Sequence, residues 1–282
     1  MTLRETKIFG DDEIQINKDY YPYFSYKKAK GKSKGTFFFI HGYAFDSSYN
    51  DCFANQIDDY DYYAIELPGH GITPVNDKND LCPIQFAKMT KKLIEKLDLN
   101  NIHLIGHSMG GGVAMMVNNM ISERIKSLIL VCPMNSFGTT NIYDFLFNFN
   151  PKNEKQIKKF YQIVMHDKNW INDPWAKFII NHLISINVKN VKWLRILKMK
   201  MASLKNIIDL TKSEYSLKNK QMLLMLGKYD KCINPLTTKM NITAHAKNVK
   251  VIIFEKSGHI PMFEELGKFT NEILNFISEK YD

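Results

Sequence analysis

Short apolar runs separated by longer amphipathic stretches constrain the fold of this chain more than any other feature. Residues 35–40 are apolar on both faces, as in a strand inside a parallel sheet. Similar runs follow at residues 62–67, 102–105, 128–131, 222–226 and 249–254. Helix-like stretches lie at 84–97, 108–121 and 261–277. This alternation predicts βαβ units, and therefore an α/β fold whose mostly parallel sheet has helices on both faces.

The alternation breaks once, between Pro133 and about Lys220. That stretch is helical and amphipathic in pattern, and it is rich in Lys, Phe and Trp without a strand signal. We therefore predict a core domain formed by residues 1–133 and 221–282, with residues 134–220 inserted as a helical cap over the sheet. Two further β-rich segments precede the first buried run, at residues 14–16 and 21–26.

The net charge of +9 is concentrated in the predicted cap. Residues 134–220 hold 14 lysines and one arginine against six acids, and the rest of the chain is neutral. Arginine is the preferred residue for bidentate phosphate recognition, and the whole chain has only Arg4, Arg124 and Arg195. The charge therefore indicates compositional bias rather than nucleic-acid binding.

Other compositional features indicate a cytoplasmic protein. Neither a membrane-spanning apolar segment nor the apolar run of a signal peptide is present in the sequence. The four cysteines are widely spaced and include no C-x-x-C pair, so the sequence suggests neither a disulfide framework nor a zinc cluster.

The sequence Gly106-His107-Ser108-Met109-Gly110 is the most specific motif. It follows a buried run and opens a helix-like stretch, which is the setting of a nucleophile elbow. The glycines permit the strained turn that lifts the Ser108 hydroxyl clear of the sheet. A dinucleotide-binding fingerprint would need glycine in place of Ser108, and a P-loop would need Gly-Lys-Ser/Thr at residues 111–113. The sequence therefore excludes both of these glycine-rich motifs.

A serine nucleophile needs a base, and the base needs an orienting carboxylate. His259 follows the last predicted strand and Asp230 follows the strand before it, in the chain order Ser, acid, His that this fold expects. The region after the preceding strand holds Asn135 and not an acid. Alone, His259 would be an ordinary loop histidine and Asp230 a turn residue. Their joint placement predicts the triad Ser108, Asp230 and His259.

Acyl transfer also requires donors for the developing oxyanion. The backbone N–H of Met109, next to the nucleophile, is one candidate, and Tyr43 in the loop after residues 35–40 supplies the other. We expect His41 to order that loop by hydrogen bonding. The other histidines lack an H-E-x-x-H pattern, and we predict no metal site.

Taken together, these motifs resemble the α/β-hydrolase superfamily, specifically its capped esterase/lipase branch with proline iminopeptidase-like and monoglyceride lipase-like relatives. The resemblance covers residues 1–133 and 221–282 and is carried by His41-Gly42, residues 66–71, the elbow, Asp230 and Gly258-His259. It implies an eight-stranded, mostly parallel sheet and no cofactor. Dehalogenases and epoxide hydrolases of this fold use an aspartate as the nucleophile at the elbow. Because Ser108 stands at this position, the resemblance excludes their chemistry. Glu66 departs from the Asp of many members.

The resemblance implies a serine esterase or lipase that cleaves a small-molecule ester or lipid through an acyl-enzyme on Ser108. An aminopeptidase of the same fold and a non-catalytic binding protein are the alternatives. The aromatic residues Trp170, Trp175 and Trp193 are candidates to line an acyl-binding site. A further hypothesis is that the basic cap associates weakly with anionic membrane surfaces. The alternative explanation of its lysines is a solvated surface that reflects the composition of the chain. The sequence leaves acyl chain length and oligomeric state open.

Overall fold

A computed structural model describes residues 22–137, 153–169 and 174–279. Within these ranges seven strands form one sheet. They are β1 Phe24–Lys27, β2 Thr36–Ile40, β3 Asp61–Ile65, β4 Ile102–His107, β5 Ile125–Val131, β6 Met222–Gly227 and β7 Val249–Phe254. The strand order is β1-β3-β2-β4-β5-β6-β7. Strand β1 is antiparallel to β3, and all other neighbours are parallel.

The predicted α/β fold with a mostly parallel sheet is confirmed, and every apolar run from 35–40 onward forms a strand. The described residues contain seven strands and not the eight that the resemblance implied. The β-rich segment at 14–16 lies outside the described residues. Strands β4 and β6 are buried along their whole length, because parallel strands in mid-sheet are covered on both faces.

Nine α-helices lie in the described ranges, together with short 3-10 turns. They are α1 Asp51–Ala54, α2 Pro83–Lys96, α3 Met109–Ile121, α4 Glu154–Val164, α5 Pro174–Met201, α6 Leu204–Tyr215, α7 Pro235–His245, α8 Pro261–Glu264 and α9 Leu266–Ser278. The stretch predicted as one helix over 261–277 is divided into α8 and α9. At the break the Glu265 carboxylate accepts hydrogen bonds from the Lys256 N–H and the Ser257 hydroxyl, which draws Glu265 out of helical geometry.

Helices cover both faces of the sheet. Phe53 of α1 and Phe269 of α9 pack edge to face, Phe53 also contacts Phe37 of β2, and Phe269 contacts Phe254 of β7. Helices α2 and α3 pack on each other, apart from α1 and α9. Helix α3 also contacts β4 and β5. The junction of β4 and α3 therefore lies within the best-buried part of the molecule.

The described residues between β5 and β6 are helical, with α4 packed on α5 and α5 on α6. Helix α6 also packs against α3 of the core. Leu210 of α6 lies beside Gly112, and the buried carboxylate of Glu214 accepts hydrogen bonds from the Ser136 N–H and hydroxyl. The division into core and cap at residues 134 and 220 remains a prediction.

Among the helices that the structure describes, none combines the length and apolar character needed to cross a bilayer.

Candidate active site

Ser108 occupies a sharp turn between β4 and α3. Its backbone lies at φ 53° and ψ −120°, a conformation that is unfavourable for a residue with a side chain. Two glycines make the turn possible, because a Cβ at Gly106 would overlap the Gly110 carbonyl oxygen and one at Gly110 would overlap that of Ile40. The backbone of Ser108 is fixed by its N–H to the Val131 oxygen at 2.9 Å. This is the geometry expected of the elbow.

Ser108, His259 and Asp230 lie in one chain of hydrogen bonds. The Nδ1 atom of His259 is 2.7 Å from Oδ2 of Asp230, and its Nε2 atom is 2.8 Å from the Ser108 hydroxyl oxygen. Since a carboxylate only accepts, the imidazole proton lies on Nδ1, and Nε2 is free to accept the serine proton. Both His259 and Asp230 are buried, while Ser108 is partly exposed. The structure thus brings the three predicted residues together.

Each member of this chain is itself held in place. Oδ1 of Asp230 accepts hydrogen bonds from the backbone N–H groups of Cys232 at 2.7 Å and Ile233 at 3.1 Å. The carbonyl of His259 accepts a bond from Nε2–H of His107 at 2.9 Å, and its N–H donates to the Val164 oxygen at 2.6 Å. The imidazole is therefore oriented by both its ring and its backbone. Sequence reasoning missed Val164, because it lies in α4, far from His259 in the chain.

The loop after β2 runs beside the serine. A Cβ on Gly42 would lie 3.2 Å from the Ser108 Cβ, so Tyr43, the next residue, is close to the site. Met109 is the first residue of α3, where backbone N–H groups point out of the helix and the helix dipole favours negative charge. The two predicted oxyanion donors thus come from segments that flank Ser108.

Two buried histidines near the site are uncharged. His41 accepts a hydrogen bond from the Leu67 N–H on Nε2 at 3.0 Å and contacts the Gly42 oxygen through Nδ1 at 2.8 Å. Burial lowers the pKa of His41 to about 4 and that of His107 well below its usual range. His41 therefore joins the loops after β2 and β3, as its predicted ordering role requires.

One group of possible metal-ligating atoms occurs among the described residues. It consists of the Asp230–His259 pair and Cys132, whose ligand atoms lie within 4.8 Å of one another. Burial raises the pKa of the Cys132 thiol well above its usual range, so the thiol stays protonated and is a poor ligand. The sequence had not connected Cys132, at the end of β5, with the triad.

Of the three tryptophans predicted as candidates for an acyl-binding site, Trp193 has a described side chain. Trp193, on α5, is partly buried and its Cβ lies close to the position that a Cβ on Gly69 would take. It therefore packs over the loop after β3. Trp170 lies outside the described residues, and of Trp175 only the helical backbone is described.

Glu66 occupies the same loop and is largely buried. Its Oε1 atom accepts hydrogen bonds from the Ile72 N–H at 2.8 Å, the Thr73 N–H at 3.0 Å and the Thr73 hydroxyl at 3.2 Å. Burial outweighs these donors and raises the pKa of Glu66 to about 7. Glu66, at the position where many members carry Asp, thus places a buried, titratable carboxyl that braces the loop.

Comparisons with known proteins agree with this fold. Residues 35–266 match the family described as alpha/beta hydrolase fold. "Putative esterase/lipase 2" of Mycoplasma pneumoniae is 29% identical over 259 residues, which cover 86% of this chain and 91% of that protein. "Putative esterase/lipase 3" of the same organism is 39% identical over 140 residues, 49% of this chain and 51% of that protein. A "putative lipase" from Acinetobacter baumannii has a similar fold, with a TM-score of 0.79 and 21% identity over 92% of this chain and 91% of that one.

The raised pKa of Glu66 predicts a pH-dependent stability. The folded protein holds this proton up to about pH 7, whereas the unfolded chain releases it near the ordinary value of 4.5. More protons are then bound in the folded state, so the unfolding free energy falls as pH rises between these values, by up to roughly 3 kcal/mol. Urea unfolding at pH 4.5, 5.5 and 7 of wild type and Glu66→Gln measures the effect. Gln keeps an acceptor oxygen for the three donors but does not titrate, so a wild-type minus variant difference that stays constant with pH would contradict the prediction.

Proposed function

Since the chain belongs to the α/β-hydrolase family, we propose that it is a serine hydrolase that cleaves carboxylic esters through an acyl-enzyme on Ser108. The observation that carries the proposal is the unbroken chain from the Ser108 hydroxyl through His259 to Asp230, at 2.8 and 2.7 Å, on a strained strand-to-helix turn. The relatives named esterase/lipase support the same class of reaction.

In the first half-reaction, the Ser108 oxygen attacks the ester carbonyl carbon while Nε2 of His259 takes the hydroxyl proton. The carbonyl oxygen becomes an oxyanion that accepts hydrogen bonds from the N–H groups of Tyr43 and Met109. His259, now an imidazolium, gives its proton to the alcohol oxygen as the C–O bond breaks. The acyl group remains on Ser108 and the alcohol leaves.

In the second half-reaction, His259 takes a proton from a water molecule, which attacks the acyl carbon. The same N–H groups stabilise the second oxyanion. The bond to the Ser108 oxygen then breaks, the proton returns to that oxygen, and the carboxylic acid leaves. Asp230 stays ionised throughout, holding the Nδ1–H tautomer and stabilising the imidazolium.

The alternatives find less support. An aminopeptidase would hold the substrate ammonium with a carboxylate near the site. Two candidates, Asp46 and Glu66, are already engaged, the first by His182 and Ser48 and the second by three donors of its own loop. A non-catalytic binding protein of this fold has no need of the complete hydrogen-bond chain.

We also propose that the helical segment between β5 and β6 is a cap that determines which substrate is accepted. Trp193 packs over the loop after β3, and the neighbouring residue Leu194 accepts a hydrogen bond on its carbonyl from the Tyr43 hydroxyl at 3.0 Å. The cap helix α5 therefore reaches the residue that we expect to supply an oxyanion donor. Selectivity would reside in the cap and the chemistry in the sheet.

The exposed face of α6 suits an anionic lipid surface. Leu204, Ile207 and Ile208 are 72%, 41% and 46% exposed on one side of the helix, beside the exposed Lys205 and Lys212. Apolar side chains flanked by lysines favour the boundary of a negatively charged membrane. We therefore extend the proposal to peripheral association with anionic lipid through this face.

The first prediction from the proposed function concerns the nucleophile. Ser108→Ala should lower kcat for p-nitrophenyl esters by about 10⁴-fold or more and abolish labelling by a fluorophosphonate, because no other group can form the acyl-enzyme. The thermal midpoint should remain near that of wild type. Ser122→Ala, at the end of α3, serves as the control and should keep full activity. Turnover retained by Ser108→Ala would refute the assignment.

The second prediction concerns the orienting carboxylate. Asp230→Asn should lower kcat by about 10⁴-fold, because an amide NH₂ in place of Oδ2 favours the tautomer with its proton on Nε2. The oxygen of the amide can still accept from the N–H groups of Cys232 and Ile233, so the fold should persist. A variant as active as wild type would mean that another carboxylate serves His259.

The third prediction tests the cap. Trp193→Ala should change the preferred acyl chain length in a series of p-nitrophenyl esters, while the rate of labelling by a small fluorophosphonate changes little. The control is Lys192→Ala, which removes the ammonium that lies 4.8 Å from the Trp193 ring centre and keeps the ring. An identical chain-length profile in wild type and Trp193→Ala would contradict a role of this residue in selectivity.

The fourth prediction tests the membrane face. The protein should sediment with phosphatidylglycerol vesicles but not with phosphatidylcholine vesicles, and binding should weaken as salt approaches 0.15 M. Ile208→Glu should remove the binding. Asn275→Glu, which adds the same charge at an exposed position of α9, should weaken it only slightly. Equal binding by wild type and Ile208→Glu would assign the interaction to another surface.

A further inference from the structure

The loop that follows β2 is held by two parts of the protein that are far apart in sequence. We define the oxyanion loop as residues 43–46. On one side it is connected to β2 through His41 and Gly42, and Gly42 lies against Ser108. On the other side it contacts α5, a helix of the segment inserted between β5 and β6.

The backbone of the oxyanion loop is strained. Ala44 has φ 63°, in the left-handed region that residues other than glycine avoid. Such a conformation persists only where the surroundings impose it, and it is typical of functional sites. The N–H of Phe45 donates to the Gly42 oxygen at 3.3 Å and closes a turn in which Ala44 takes the third position, where a positive φ favours glycine. Alanine does not select this conformation, so contacts from outside the turn add to its stability.

Helix α5 supplies these contacts. The Nδ2 of Asn187 donates to the Ala44 oxygen at 3.1 Å, and the Tyr43 hydroxyl donates to the Leu194 oxygen at 3.0 Å. At the far end of the loop, Nε2 of His182 lies 2.8 Å from Oδ2 of Asp46. Three of the four loop residues are thus bonded to one helix.

The bond from Asn187 acts at the strained residue. Asn187 is only 4% exposed, so its amide can donate to the Ala44 carbonyl without competition from water. Fixing that carbonyl fixes the peptide plane between Ala44 and Phe45. It thereby limits backbone rotation at Ala44, the residue that follows Tyr43. The direction of the Tyr43 N–H therefore depends on α5 as well as on β2.

We propose that Asn187 is a positioning residue, which holds the oxyanion loop in its catalytic geometry from the cap helix. This inference rests on the proposed function, because it assigns Asn187 a role in forming the oxyanion site. Docking of α5 on the core and assembly of that site then occur together. The cap contributes to the rate as well as to selectivity.

Asn190 provides a matched control on the same helix. Its Nδ2 donates to the Gly71 oxygen at 2.9 Å, so it makes the same kind of bond between α5 and the core but to a different loop. Asn187→Ala and Asn190→Ala each remove one such bond, and only the first touches the oxyanion loop. A simple loss of cap stability would affect both variants alike.

The experiment measures kcat, KM and the inhibition constant of an alkyl boronic acid, whose tetrahedral adduct with Ser108 resembles the oxyanion. Asn187→Ala should lower kcat by about tenfold or more and weaken the boronate by a similar factor, because a single misplaced oxyanion donor costs at least this much. KM should stay within about twofold. Asn190→Ala should leave all three within about twofold, and thermal midpoints report on folding.

Tyr43→Phe is the second variant, for the case that Asn187→Ala fails to fold. It removes the hydroxyl bond to Leu194 and keeps the backbone N–H of residue 43, so kcat and boronate affinity should again fall together with KM unchanged. Values like those of wild type for a folded Asn187→Ala, or for Tyr43→Phe where Asn187→Ala does not fold, would overturn the proposal. Equal losses in Asn187→Ala and Asn190→Ala would overturn it as well.

Failure of this inference differs from failure of the proposed function. Wild-type protein that hydrolyses esters and is labelled at Ser108, with Asn187→Ala unimpaired, would refute only the role of Asn187. Wild-type protein that neither hydrolyses esters nor reacts with a fluorophosphonate would refute both.

Discussion

The site depends on the strained turn at Ser108, and the turn depends on close backbone packing. Because Gly106 and Gly110 have no side chains, α3 can approach β2 until the Gly110 backbone lies against the Ile40 carbonyl. That approach holds Ser108 at positive φ and brings its side chain to the end of the sheet. The parallel register of β2, β4, β5, β6 and β7 then places the loops that follow these strands along the same edge. His259 and Asp230 reach Ser108 because their strands end there.

Burial determines the charges around this turn. His41, His70 and His107 are all enclosed, and burial lowers the pKa of each, so the imidazoles behave as neutral hydrogen-bonding groups. Asp230 is also buried, but two backbone N–H groups and His259 satisfy its oxygens. Neutral imidazoles beside a buried carboxylate whose oxygens are hydrogen-bonded suit an oxyanion mechanism, since neighbouring positive charge would compete for Asp230.

The inserted helices are bonded to the site at two points. Val164, at the end of α4, accepts the N–H of His259, and the Glu264 carboxylate joins Gly258 to His166 and Asp167 just beyond α4. Helix α5 bonds the oxyanion loop. The inserted helices therefore contact both the segment that carries His259 and residues 43–46 beside Ser108. Cap substitutions are therefore expected to affect rate and selectivity together wherever they alter these bonds.

The sequence by itself determined the sheet, the elbow and the identity of the three residues brought together there, because apolar periodicity, glycine spacing and chain order are local properties or follow from the order of strands. It did not reveal the split at Glu265, the proximity of Cys132 to the triad or the bonds from α5 to residues 43–46. Asn187 and Ala44 are 143 residues apart in the chain, and no periodicity links a single amide with a single carbonyl over such a distance. Only the tertiary structure decided those pairings, since they arise when the cap packs on the core and each buried polar group must find a partner.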